Sequence, residues 1–137
     1  MRALSVRPPW AWAIAHADKR TENRTWTTSY RGPLAIHASQ AFSSSETVEL
    51  GRILGYDPDP ALFTRGAFVA VADLADVVKA ESIEPSPWLC GPYARLLENV
   101  RPLCVDIPAT GRLGLWRPSH AQLRAIELSV TTRPNYR

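Results

Sequence analysis

The spacing of hydrophobic positions predicts three helices separated by short strands. Residues 2–6 ("RALSV") have the composition of a short strand, and residues 10–17 ("WAWAIAHA") repeat apolar side chains at helical spacing. Pro9 suits the first turn of that helix, because proline lacks the N–H group that would be unbonded there. Residues 43–54 and 119–128 predict two further helices, each opening with a serine followed three residues later by Glu or Gln.

The other apolar runs predict strands. In "TENRTW", alternation places Glu22, Arg24 and Trp26 on one face. The runs "PLAIHAS", "GAFVAVADLADVV", "ARLLENVRPL" and "GRLGLWRP" are also typical of strands, the valine-rich one buried on both faces, and "ESIEPSPWLCGPY" predicts a long proline-rich loop. We therefore expect a small α+β domain around a barrel-like sheet over residues 1–128, with 129–137 as a flexible tail.

The composition indicates one globular domain. A chain of 137 residues with 45% hydrophobic and 21% charged residues can bury its own core. Cys90 and Cys104 lack metal-ligand spacing and nothing resembles a secretion signal, so we expect a reduced, cytoplasmic protein without metal or cofactor. The longest apolar run is interrupted by Asp73 and Asp76 and is too short to span a bilayer.

Charge is distributed unevenly along the chain. The net charge is +3, but residues 1–31 carry +4, residues 32–100 carry −5 and residues 101–137 carry +4. If the two ends meet in space, they form one basic surface on an acidic body, which suits a polyanion such as nucleic acid. Ordinary solvated arginines would give the same count, so charge alone leaves both interpretations open.

Six segments together resemble the ASCH domain, a branch of the PUA-like superfamily of small pseudo-barrels. They are "LSVRPPWAWAI", "DKRTENRTW", "GPLAIHAS", "GAFVAVADL", "GPYARLLENVRPL" and "GLW", in the family's order between Ala3 and Trp116. The family's hallmark is Gly-x-Lys-x-x-Glu-x-Arg. It falls here on Ala17, Lys19, Glu22 and Arg24.

The chain departs from the family pattern at four places. Ala17 replaces the hallmark glycine, Pro8 replaces a common glutamine, and Gln40 stands where relatives often carry lysine. In the cytidine amidohydrolase branch, threonine occupies the position of Glu22. The resemblance therefore transfers the fold more directly than any one activity.

The resemblance implies a cleft between the barrel and the first helix that faces RNA, single-stranded nucleic acid or a modified nucleoside, as PUA-like relatives bind RNA or modified bases. Lys19 would donate to a carbonyl or phosphate, and Glu22 with Arg24 would read a base edge. Core packing is favoured for Trp10, which shares a helical face with Ile14. The predicted ligand-binding residues are Ser5, Trp10, Lys19, Glu22, Arg24, His37, Ser39, Trp88, Tyr93 and Glu98.

Other functions stay open at this stage. The resemblance also implies an enzyme in the same cleft, because one ASCH branch hydrolyses acetylated cytidine and another is associated with ribonuclease activity. Lys19, Glu22 and Tyr93 would then be the catalytic residues, although the histidines offer no paired acid and base for a ribonuclease. A protein-interaction module would instead expose an apolar patch, against which the charges of the hallmark argue.

Overall fold

The computed structural model describes residues 1–131, which form six strands and three helices. Two single-turn 3₁₀ helices, Pro60–Leu62 and Ala80–Ser82, flank the fourth strand. The main elements, in chain order, are β1 (Arg2–Val6), α1 (Trp10–His16), β2 (Thr21–Arg24), β3 (Gly32–Ala38), α2 (Ser44–Leu54), β4 (Ala67–Lys79), β5 (Tyr93–Pro108), β6 (Leu115–Trp116) and α3 (His120–Thr131).

All six strands belong to one sheet, in the order β2-β5-β4-β3-β1-β6. β1 and β3 are parallel, and every other neighbouring pair is antiparallel. The antiparallel pair of β1 and β6 places Ala3 opposite Trp116. The two basic ends of the sequence therefore lie side by side.

A single hydrogen bond shows that the sheet is curled. β2 and β1 are four strand positions apart, which in a flat sheet means roughly 19 Å between them. Arg24 of β2 nevertheless donates from Nη2 to the carbonyl of Ser5 in β1 across 2.8 Å. The predicted α+β pseudo-barrel is confirmed.

Three apolar clusters hold the helices against this sheet. The first lies inside the curl, where Ala11 and Ile14 of α1 pack on Leu4, Leu34 and Leu97. The second lies beneath α3 and includes Phe68, Val71, Trp116 and Ile126. The third joins α1 to α2 through Ala13, Leu50 and Phe63. Helix α1 is thus packed on two sides, which fixes the segment that follows it.

The two predicted capping boxes have different outcomes. Ser119 and Gln122 bond each other's backbone N–H groups at 3.1 and 2.8 Å, as predicted. Ser43 precedes α2 but makes no side-chain cap bond, and Glu46 instead accepts from Trp10 Nε1 at 2.6 Å and pairs with Arg7. Glu46 therefore ties α2 to α1 rather than capping its own helix.

Helix α3 extends to Thr131, so the first three residues of the predicted tail are helical. Ser129 is buried there and exchanges hydrogen bonds with the backbone of Val105. Residues 132–137, the rest of that tail, lie outside the described part of the chain. Among the described helices, none has the length and apolar character needed to cross a membrane.

Helix α3 is expected to contribute strongly to the stability of the domain. Ile126 is fully buried, so Ile126→Ala should lower the free energy of unfolding by about 2–5 kcal/mol. Arg124→Ala, at an exposed position of the same helix, should change it by less than about 0.5 kcal/mol. Urea titration of both variants measures the two values, and equal losses would contradict the packing described.

Candidate functional site

The turn after α1 directs Lys19 into the protein. Ala17 ends the helix with φ −129°, and the left-handed conformation falls on Asp18, with φ 62°. Asp tolerates that conformation better than most residues. Ala17 replaces the hallmark glycine without strain, since its φ is one that any residue adopts. The Lys19 N–H then bonds the carbonyl of Ala13 at 3.2 Å, anchoring the lysine to α1.

Lys19, Glu22 and Arg24 form one ionic network, in which Lys19 and Glu22 are buried and Arg24 is half-buried. Glu22 Oε1 accepts from Lys19 Nζ at 3.1 Å, and Glu22 Oε2 pairs with Arg24 Nη2 at 3.0 Å. Lys19 also donates to the carbonyl of Thr21, and only 3% of its surface is exposed. Glu22 thus holds both cations of the hallmark in place. Loss of one member of a buried ion pair typically destabilises a fold by about 3–5 kcal/mol.

Two polar atoms near this network have no hydrogen-bond partner among the described residues. They are Arg24 Nε and Ser39 Oγ, and both are buried. Arg24 bonds the carbonyl of Ser5, and the Ser39 N–H bonds the carbonyl of Val6 at 3.0 Å. The two unpartnered atoms are therefore anchored at adjacent residues of β1. Buried polar groups are normally hydrogen-bonded, so an unpartnered pair indicates a place for a ligand.

Arg95 belongs to the site although the sequence analysis did not single it out. It lies directly opposite Glu22 in the β2–β5 register, is completely buried, and has its Cζ 4.1 Å from the centroid of the Trp26 ring. Burial, and to a lesser degree the charge of Arg24, lower the pKa of Arg95 to about 10, while the charge of Glu22 opposes the shift. The one signal in the sequence is a cation inside the apolar run "YARLL".

Tyr93 lies opposite Arg24 in the same register and therefore shares its face of the sheet. It also lines a cavity of about 270 Å³ with Lys79, Ala80, Glu81, Gly91 and Pro92. No residue of the hallmark lines that cavity. Strand pairing thus places Tyr93 next to Arg24, and Tyr93 separates the hallmark residues from the cavity.

Trp88 and Trp10 are more enclosed than a free stacking platform. Trp88 is half-buried against the cluster of Ala13, Leu50 and Phe63, and its carbonyl accepts from Asn23 at 2.8 Å. Asn23 also accepts from the N–H of Cys90 at 2.9 Å, so β2 fixes the proline-rich loop. Trp10 packs against two clusters, as core packing requires. A stacking role for either ring stays a prediction.

His37 belongs to a separate network behind the site. Its Nε2 lies 2.7 Å from the carbonyl of Ala109 and its Nδ1 lies 3.2 Å from Ser5 Oγ, which accepts from Trp116 Nε1 at 3.3 Å. Nε2 must be the protonated nitrogen, because a carbonyl only accepts. The side chains of His37 and Ser5 therefore face one another and the second cluster. The Ser5 carbonyl alone reaches the hallmark, through Arg24.

Glu98 lies apart from the other predicted residues. It is exposed. Side chains alternate between the two faces of a strand, and Glu98 lies an odd number of residues from both Tyr93 and Arg95, so it is on the opposite face from these two. Arg101, three residues further along β5, approaches Asp73 of β4 at 3.6 Å. Within residues 1–131, no cluster of three or more His, Cys, Asp or Glu side chains could hold a metal ion.

The curled sheet with its buried ionic motif at the closure defines a PUA-like domain, and the sequence comparisons specify the family. The family model described as the ASCH domain matches residues 4–106, so the chain belongs to the ASCH domain family. Activating signal cointegrator 1 of Homo sapiens is 30% identical over 125 residues, and that of Mus musculus is 28% identical over 125 residues. Each match covers 83% of this chain but 22% of the relative. The chain thus spans about a fifth of the length of these relatives.

The buried state of His37 makes stability sensitive to pH. Burial lowers the pKa of His37 from 6.5, although the hydrogen bond to Ala109 opposes the shift. Because the unfolded chain then binds more protons at His37 than the folded one, the free energy of unfolding should fall as the pH drops below about 6.5. Chemical denaturation between neutral pH and mildly acidic pH measures this slope. The slope should diminish in His37→Gln, and an unchanged slope would assign it to other groups.

Proposed function

We propose that this ASCH domain binds RNA, another single-stranded nucleic acid or a modified nucleoside at the closure of its sheet. The observation that carries the proposal is the distribution of buried side-chain atoms without hydrogen-bond partners. In the described part of the chain, all of them belong to Arg24, Ser39 and Arg95. Such atoms are costly to leave unbonded, and here they gather around one ionic motif rather than across the core.

The charges of the motif favour a ligand that is rich in acceptors. Glu22 uses both oxygens to hold Lys19 and Arg24, so the available guanidinium donors belong to Arg24 and Arg95. A guanidinium fork matches phosphate oxygens and the acceptor edge of guanine. Ser39 adds a hydroxyl, which both donates and accepts. We infer that Glu22 positions Arg24, while Arg24 and Ser39 contact the ligand.

Exposed arginines beside β1 support a polyanionic partner. Arg112 is exposed and follows Gly111, where any Cβ would lie only 2.6–2.8 Å from His37 and Ser5 Oγ, so the backbone runs close to β1. Arg117 is exposed and follows β6, beside the start of β1. The arginines of the two chain ends therefore meet along β1, whose Ser5 carbonyl also holds Arg24. Clustered cations of this kind supply the salt-dependent part of nucleic-acid binding.

The proposal predicts salt-dependent binding that depends on Arg24. Fluorescence anisotropy of a labelled single-stranded RNA should show affinity that falls as salt rises, and Arg24→Gln should weaken it by about 1–3 kcal/mol if Arg24 contacts a base edge. Arg117→Gln should instead weaken all sequences similarly and reduce the salt slope by about one.

Arg52→Gln is the matched control, because Arg52 is an exposed arginine of α2 paired with Glu49. It should bind as the wild type does. Circular dichroism tests whether Arg24→Gln is folded. A folded Arg24→Gln with wild-type affinity for RNA and for nucleosides would refute the assignment of the site.

A second function, hydrolysis of an acylated nucleoside, is favoured by one contact. Lys19 Nζ lies 3.1 Å from Glu22 in a buried setting, and Tyr93 shares the face of Arg24. A lysine and a carboxylate at this distance can exchange a proton while water attacks an amide. Lys19 and Glu22 would carry the proton, and Tyr93 would position the acyl group.

The enzymatic alternative predicts release of acetate from N4-acetylcytidine by the wild-type protein. Chromatography of cytidine formed over time measures it. Lys19→Met should abolish turnover by removing the ammonium group, while Glu49→Gln, in the exposed ion pair of α2, should leave it unchanged. Turnover that persists in a folded Lys19→Met would exclude this chemistry.

We also propose a reduced, cytoplasmic setting. Cys90 and Cys104 are both free and exposed, which suits a compartment where thiols stay reduced.

A further inference from the structure

Arg95 presents the largest group of unsatisfied donors in the described chain. Its Nε, Nη1 and Nη2 are buried and lack any hydrogen-bond partner, and the residue has no exposed surface. The Trp26 ring, 4.1 Å from Cζ, attracts the cation through its π face but accepts none of its N–H groups. An arginine keeps its charge at neutral pH, so its five N–H donors call for an acceptor.

The neighbouring carboxylate, that of Glu22, does not accept a hydrogen bond from Arg95. Glu22 stands opposite Arg95 on the paired strand, but its two oxygens are engaged by Lys19 and Arg24. The other nearby cation, Arg31, pairs with the exposed Asp76 at 3.1 Å. Lys19, Arg24 and Arg95 thus place three positive charges around one carboxylate. The local excess of two positive charges matches the charge of a phosphate group better than that of a neutral base.

We propose that Arg95, with Arg24 beside it, is a phosphate-binding subsite covered by Trp26. The inference rests on the proposed function where the phosphate is that of a nucleotide, but a free phosphate ion would satisfy the same donors. Both guanidinium groups offer nitrogen donors without partners, and a bidentate contact with phosphate oxygens uses them. The subsite gives the nucleotide a fixed anchor next to the hallmark.

Trp26 controls access to this subsite. It is half-buried, and it lies in the segment between β2 and β3 that has no regular structure. Irregular segments adjust their backbone more readily than paired strands do. Displacement of the Trp26 ring exposes the Arg95 donors without breaking the β2–β5 pairing. The ring then lies beside the bound phosphate, where it can stack on an attached base.

The subsite is tested by thermal unfolding and calorimetric titration with inorganic phosphate at constant ionic strength. Phosphate should raise the melting temperature of the wild-type protein. Arg95→Met keeps the volume but removes the charge, so it should weaken phosphate binding at least about tenfold. In phosphate-free buffer it should melt above the wild type, because it removes an unpaired buried cation.

Two further variants complete the design. Arg52→Met removes an exposed cation of α2 and should leave the phosphate response intact. Arg95→Lys keeps the charge but loses the fork, so it should also lose at least about tenfold in phosphate affinity. If Arg95→Met does not fold, the phosphate affinity of Arg95→Lys tests the proposal instead. A full phosphate response in either folded Arg95 variant, or none in the wild type, would overturn the proposal.

Cytidine and cytidine 5′-monophosphate separate this inference from the proposed function. Arg95-dependent binding of the monophosphate that exceeds binding of the nucleoside supports both. Arg95-dependent binding of inorganic phosphate with no binding of either cytidine compound supports the subsite and counts against the proposed function. Binding of cytidine that is identical with and without its phosphate overturns the subsite and leaves the proposed function standing.

Discussion

The hydrogen bond from Arg24 to the carbonyl of Ser5 joins two strands that the sheet order keeps far apart, and the site depends on it. The bond brings β2 across to β1, so the sheet curls around α1. The same Arg24 nitrogen, Nη2, also pairs with Glu22 at 3.0 Å, which holds the guanidinium group in place. Glu22 in turn is fixed by Lys19, which the turn after α1 directs inward. The contacts that close the barrel are therefore the same contacts that position the residues of the site.

This arrangement gives the hallmark a structural role beside its functional one. A carboxylate that accepts from two cations loses less on burial than a lone charge does, which explains how Glu22 is tolerated at 8% exposure. The same satisfaction reduces the capacity of Glu22 to bind anything else. The atoms that remain free to bind a ligand are those without a partner in the network: Arg24 Nε, Ser39 Oγ and the Arg95 guanidinium. Stability and recognition are thus divided among neighbouring residues.

Much of this was accessible from the sequence. Period-two alternation in "TENRTW" correctly places Glu22 and Arg24 on one face, and helical spacing locates α1. The role of the Ser5 carbonyl could not be predicted from the sequence, because every residue type has a backbone carbonyl. Arg95 was missed for a different reason: only the β2–β5 register shows that it faces Glu22, and pattern alone does not give a register between strands about 70 residues apart. Trp88 was predicted in a long proline-rich loop, and the structure shows that Asn23 and Thr21 bind its carbonyl while its ring packs on the third cluster.

The comparison of Arg95 with other arginines of the chain indicates what distinguishes a recognition site from a structural one. Arg31 and Arg52 pair with carboxylates at the surface, where water supplies any missing partner. Arg95 is buried and its nitrogens have no hydrogen-bond partner among residues 1–131, so its position costs stability that an apolar side chain would not. Selection for stability alone would not maintain it between Val77 and Glu22 on the paired strands. A ligand that supplies the acceptors provides the compensating free energy, and it does so only when bound. Folding of the domain and binding of a ligand at its site are then thermodynamically linked.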